Sequence, residues 1–227
     1  MHILVFIAVL VAVIVGPHVW VRRVMQRYSS PEDRYELTGG EAARKLLDAA
    51  GLQAVKVETT DGGDHYDPEA KAVRLSGQNF LSRSLTATSI AAHEVGHALQ
   101  DAGNYPPLRW RTRLVKWVGP IEKAGAAMLM ATPLIIGFTR LPYAGLLMLV
   151  GGFLTLGSAV AVHMLTLPTE FDASFGRALP MLEERGMLYE RDAPHARKLL
   201  KAAAMTYVSA SLMSLLSIAR WWAILRR

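Results

Sequence analysis

At 227 residues the chain has room for one domain plus membrane spans, and 52% hydrophobic side chains with a mean hydropathy of +0.22 are too apolar for an ordinary soluble enzyme. It has no cysteine, which excludes disulfides and thiolate metal ligands. The net charge of +6 is modest and lacks the aromatic-interleaved Lys/Arg run of a nucleic-acid surface, so the charge reads as topology-directing and lipid-facing, with no nucleic-acid partner expected.

Residues 3–21 contain no Asp, Glu, Lys or Arg, and these 19 residues suffice to cross a bilayer core. The basic residues Arg22, Arg23 and Arg27 come after the segment rather than before it, and no A-x-A site precedes Arg22. Residues 1–21 therefore read as an uncleaved anchor rather than a signal peptide. A turn-rich exit follows at residues 28–33. Thr38 is placed to cap a helix running to about Ala50, which Gly51 ends. Val55–Thr59 alternates like a half-buried strand, Asp61–Asp64 is a turn, and Ala72–Leu75 is a second strand. Together they predict a short β-hairpin or edge strand, with Ala72–Leu75 as the presumed edge. Such an edge either adds a substrate peptide as an extra strand or only completes a small core.

Residues 85–101 predict a helix capped by Ser82 or Ser84 and stopped at Gly103. Residues 124–139 and 144–165 are apolar and separated by Arg140–Tyr143, a tight transmembrane hairpin. Pro168 is expected to break the second of these helices and start a new one. Residues 205–225 are a fourth candidate, interrupted by Arg220, that either spans or lies in the interface. Lys and Arg collect on cytoplasmic sides. Residues 22–116 hold 14 of them and residues 166–204 hold six, so both stretches are expected in the cytoplasm of a multi-pass membrane protein. The expected organisation is an anchor at 1–21, a cytoplasmic domain at 22–116, a transmembrane hairpin at 117–165, a cytoplasmic segment at 166–204 and a C-terminal helix at 205–227.

The predicted helix 85–101 carries His93-Glu94-Val95-Gly96-His97, the pattern H-E-x-x-H. Residues i and i+4 share one helix face, so both imidazoles reach one Zn²⁺ while Glu94 is placed to act as general base on a water. The small residues Ala91, Ala92, Gly96 and Ala98 leave room for neighbouring backbone. A catalytic zinc needs a third protein ligand. The candidates after residue 165 are Glu170, Asp172, Glu183, Glu184, Glu190, Asp192 and His195; Glu170 and Asp172 stand out, in the first turn of the helix expected after Pro168. Asp101, one turn past His97, reads as second-layer support or a solvated helix end. His163 is an ionisable residue inside a span. His65, Tyr66 and Tyr105 are candidate oxyanion donors or plain packing residues.

The stretches His93–Gln100, Leu167–Ser174, His65–Pro68 and Val73–Ser76 resemble those of the bacterial YugP-type neutral zinc metallopeptidases, over most of the chain. The resemblance implies an integral-membrane, gluzincin-like zinc peptidase, mainly α-helical with 3–4 transmembrane helices. Zn²⁺ would be held by His93, His97 and Glu170, with Glu94 as the catalytic base. More distantly the chain is similar to the HtpX/CAAX-protease type of membrane metalloprotease, which carries an Asp four residues after the ligand Glu. Here that position is Ser174, and Asp172 is the nearby carboxylate left either to orient an imidazole or simply to face the N-terminal dipole of the helix expected after Pro168. The implied activity is endopeptidase cleavage of a protein or peptide substrate at the cytoplasmic membrane face, in membrane-protein quality control by analogy. The alternatives are an intramembrane protease, disfavoured by the polar residues 82–89, and a non-catalytic zinc-binding scaffold or chaperone partner.

Overall fold

The structure, a computed structural model, describes residues 2–210, 212 and 213. Helix α1 (His2–Arg27) runs from the apolar segment into its basic flank without interruption. Helix α2 (Gly39–Ala49) starts at Thr38, whose hydroxyl accepts from the Glu41 N–H while the Glu41 carboxylate accepts from the Thr38 N–H. This reciprocal cap satisfies two backbone donors that the first turn leaves over. The helix ends at Gly51, whose φ of +75° suits a residue without Cβ.

Three strands follow: β1 (Lys56–Thr60), β2 (His65–Asp67) and β3 (Ala72–Ser76). Their order is β1-β3-β2, with β1 parallel and β2 antiparallel to β3. The expected hairpin is thereby corrected. It joins β2 to β3, closed by the Asp67 carboxylate accepting from the N–H groups of Glu69 and Ala70. The segment expected at the edge, β3, is the centre of the sheet. Pairing on both sides explains why Ala72, Val73 and Leu75 are fully buried. The edges are β1 and β2.

Helix α3 (Gly77–Leu81) leads into α4 (Leu85–Ala102), where the Ser84 hydroxyl accepts from the Ala87 N–H. At its far end Gly103 keeps an ordinary φ of −78°, and Asn104 takes the left-handed conformation at φ 53°. Helix α5 (Pro106–Thr139) and helix α6 (Pro142–Phe171) follow, turned by Arg140 at φ 54°. Helix α5 begins well before the apolar stretch at 124–139, with Pro106 in its first turn, where a missing N–H costs nothing. A Cβ on Gly152 of α6 would lie 2.5 Å from the Leu129 side chain and 3.1 Å from the Gly125 carbonyl, so the hairpin packs at backbone range.

Helix α6 does not break at Pro168; it continues to Phe171 and widens into a π-helix over Asp172–Ala178. One missing N–H is not enough to end a helix whose other hydrogen bonds persist. The carboxylates Glu170 and Asp172 thus lie at the end of a long helix and the start of its wide segment, not in the first turn of a new one. Helix α7 (Leu179–Glu184), a 3₁₀ turn (Glu190–Asp192) and α8 (Ala193–Ala204) complete the described elements of regular length. Among the described residues, three helices are long and apolar enough to cross a membrane: Leu4–Arg27, Pro106–Thr139 and the run beginning at Tyr143. Of the fourth candidate, 205–225, all but residues 205–210, 212 and 213 lie outside the described residues.

The chain divides into two compact units. One comprises the N-terminus through His18, Trp110–Thr166 and the residues from Tyr207 on; the other comprises Val19–Arg109 and Leu167–Thr206. In the second unit α4 is the central post. Every residue from Ser84 to Ala98 is buried. Leu46 and Leu47 of α2, Val73 and Leu75 of β3, Leu182 of α7 and Leu200 of α8 share one apolar core with Ile90 and Val95 of α4.

Asp192 pins α8 to the chain between α1 and α2. Its buried carboxylate accepts from Arg34 Nε at 2.7 Å and from the Tyr35 hydroxyl at 2.6 Å. Burial opposes its charge, but these two donors outweigh burial and hold the carboxyl below the ordinary carboxylate range. A carboxyl depressed in the folded state contributes stability above its unfolded pKa of about 3.9, lost as pH falls through the folded value. Asp192→Asn is therefore expected to cost about 3 kcal/mol at pH 7 and to flatten the fall in melting temperature below about pH 4. Thermal melts between neutral and acid pH check both effects.

Candidate metal centre

The i, i+4 spacing on α4 brings His93 and His97 to one face, with ring centroids 4.8 Å apart. The end of α6 places Glu170 opposite them. Glu170 Oε2 lies 3.3 Å from His93 Nε2 and 3.2 Å from His97 Nε2. The ligand atoms of all three residues lie within 4.8 Å of one another, and each residue is nearly inaccessible. Two imidazole nitrogens and a carboxylate oxygen in so small a space are a donor set suited to zinc.

The outer nitrogens decide how these imidazoles present themselves. Ser174 Oγ donates to the Leu200 carbonyl at 3.0 Å. Its one proton is then used, so at 2.9 Å it accepts from His93 Nδ1–H. Gln100 works in the same way on the other histidine. Its Nε2 donates to the Thr169 carbonyl and to Asp172 Oδ2, both at 2.8 Å. That fixes the amide, so Oε1 faces His97 Nδ1 at 2.9 Å and accepts its proton. Both histidines thus carry the proton on Nδ1 and turn an Nε2 lone pair toward Glu170. This tautomer is the one that binds a metal through Nε2.

Of the two readings of Asp172, the structure does not give the first: the carboxylate touches no imidazole. It is two hydrogen bonds away, holding the Gln100 amide, and is itself held by Arg177 Nε at 2.9 Å. The five-residue separation of Asp172 and Arg177 matches the wide turn of the π-helix. Arg177 in turn lies over the Tyr105 ring, 5.5 Å from its centroid. Sequence reasoning missed Gln100, Ser174 and Arg177. A signal existed for the first two: Gln100 is three residues past His97 on the same face, and Ser174 sits at the spacing from Glu170 that was read only as a missing Asp.

The approach of α6 to α4 depends on Gly96. A Cβ there would lie 2.5 Å from the Ala173 carbonyl oxygen, closer than real Cβ atoms come. Gly96→Ala is expected to push the π segment off α4 at a cost of about 1–3 kcal/mol, more than alanine's helix propensity returns. Melting the variant with and without added zinc checks this; the zinc-dependent part of the stabilisation should shrink as well.

Glu94 is buried on α4 beside His93. The remaining candidates lie elsewhere. The Tyr66 hydroxyl donates to Asp101 at 2.6 Å, and burial, then this bond, pushes its ionisation up. Asp101 also takes Lys71, so it ties the end of α4 to the sheet rather than supporting a metal ligand. His65 Nδ1 faces the Gly63 carbonyl. His163 is buried in the other unit, stacked on Tyr207 with centroids 5.9 Å apart. His195 packs against the Tyr28 ring at a tilt of 31°, and Glu183 pairs with Arg197.

A family model described as "Putative neutral zinc metallopeptidase" matches residues 2–226. The chain belongs to this family. The chain is also similar to "Putative membrane protease YugP" of Bacillus subtilis (strain 168). It is 37% identical over 203 residues, which is 88% of this chain and 86% of the relative. No solved structure matches the chain.

Proposed function

We propose that this family member is a membrane-anchored, zinc-dependent endopeptidase of gluzincin type, working at the cytoplasmic face of the bacterial inner membrane. The observation that carries the proposal is the convergence of His93 Nε2, His97 Nε2 and a Glu170 oxygen, with both Nδ1 atoms committed as donors. These three atoms would hold the metal. Bound there, zinc supplies Lewis acidity toward water and toward the scissile carbonyl oxygen.

The chain's own residues do the rest. Glu94 takes a proton from the attacking water as its oxygen bonds to the carbonyl carbon, and hands the proton to the leaving nitrogen as the C–N bond breaks. Ser174 and Gln100 keep the two imidazoles in the tautomer that leaves Nε2 free of hydrogen. Burial of the cluster strengthens each electrostatic contact.

Two observations favour this reading over its alternatives. Among the described residues the cluster contains three metal-ligating side chains, where a structural zinc takes four. That argues for an open position and against a scaffold with a structural metal. Helix α4 is not among the three helices long and apolar enough to span a bilayer, which argues against hydrolysis inside the membrane. The basic residues of 22–116 and 166–204 support the cytoplasmic orientation. The likeness to a relative named a membrane protease supports a protein substrate; membrane-protein quality control is the setting proposed for it by analogy. Zinc content together with peptide cleavage, wild type beside Glu94→Gln, tests the proposal.

A further inference from the structure

We propose that a cavity between α2, α4 and the chain that follows α7 binds a free α-amino acid with an apolar side chain. The cavity lies within the unit made of Val19–Arg109 and Leu167–Thr206, and the proposal does not depend on the metal. Its volume is about 240 Å³. Pockets for drug-sized ligands begin at roughly 300 Å³, so this one suits something smaller. The volume equals that of about eight liquid waters. A molecule with the atoms of leucine or methionine is of this size; an extended peptide is not.

The lining decides the chemistry. Leu37, Leu188 and the buried Met187 give the cavity an apolar wall. Three hydroxyl-bearing residues also line it, and each hydroxyl is spent on another partner. Tyr35 donates to Asp192 at 2.6 Å, Thr88 to the Ser84 carbonyl at 3.2 Å and Tyr189 to the Arg34 carbonyl at 3.4 Å. The rings of Tyr35 and Tyr189 stack with centroids 5.1 Å apart. These residues therefore offer a ligand carbon surface and no free O–H. The polar side chains left are Glu36 and Lys45, opposite in charge and both exposed. Among the described residues neither has an ion-pair partner, and they do not pair with each other.

A fatty acid would match Lys45 and leave Glu36 against it; an apolar amine would do the reverse. Two opposite charges beside one apolar wall match a zwitterion. Its carboxylate would meet Lys45, its ammonium Glu36, and its side chain the surface around Met187. Thr88 belongs to α4, about one and a half turns before His93, so an occupant touches the helix that carries both histidines.

The test is calorimetric titration of the full chain in detergent with L-leucine, glycine, N-acetyl-L-leucine and L-leucinamide. Leucine is expected to bind about five-fold or more tightly than each of the other three. Variants then assign the charges, at two exposed positions where the fold tolerates change. In Glu36→Gln the advantage of leucine over N-acetyl-leucine should vanish while that over leucinamide persists. In Lys45→Met the two advantages should exchange. No saturable binding up to about 10 mM leucine overturns the proposal. A blocked derivative that binds wild type as tightly as leucine overturns it too and marks a site for a chain terminus. Advantages that survive both substitutions also overturn it. Zinc content in the same samples reports separately on the metal centre.

Discussion

Glu94→Gln is expected to keep its metal and to lose turnover by about 10²–10⁴-fold. Glu94 contributes no atom to the His93–His97–Glu170 cluster, so removing its charge leaves the three donors in place. Glutamine has nearly the same shape, which keeps the buried packing of α4. What disappears is a basic oxygen able to accept a proton and return it. Wild type and variant are compared on a peptide library, with cleavage products read by mass spectrometry and zinc measured in the same preparations. Normal cleavage by Glu94→Gln would remove the general base from the mechanism.

Glu170→Ala is expected to have the larger effect on the metal itself. It deletes one of three donors from a buried site and leaves two neutral imidazoles, a donor set that holds zinc weakly. Asp172→Ala should be milder. Asp172 acts at a remove, through the Gln100 amide, and the amide keeps its second acceptor in the Thr169 carbonyl. Loss of such an outer partner typically weakens metal binding about 10–100-fold without abolishing it. The two neighbouring carboxylates, indistinguishable by residue type, should therefore separate cleanly in a zinc titration.

The contrast between these carboxylates illustrates what the sequence makes legible. The spacing of His93 and His97 is a statement about one helix, and one helix repeats every few residues whatever surrounds it. The caps at Thr38 and Ser84 are local in the same sense and are found where the residues suggest. Gln100 carries no such mark, because its amide becomes decisive only when α6 brings Thr169 and Asp172 against it. The π-helix at Asp172–Ala178 is equally silent. Its residues are ordinary helix residues, and it lies where the Ala173 carbonyl rests on Gly96. Pro168 misleads for a related reason: a rule about isolated helices meets a helix whose other hydrogen bonds persist through the proline. Strand β2, at three residues, is too short to show an alternation, so its insertion beside β3 could not be read from pattern.

Metal analysis of the detergent-purified chain tests the central claim most directly, with wild type, Glu170→Ala and Asp172→Ala measured together by elemental analysis. One zinc per chain is expected in wild type, with retention in Asp172→Ala and loss in Glu170→Ala. Zinc absent from wild type, or retained in Glu170→Ala, would contradict that claim.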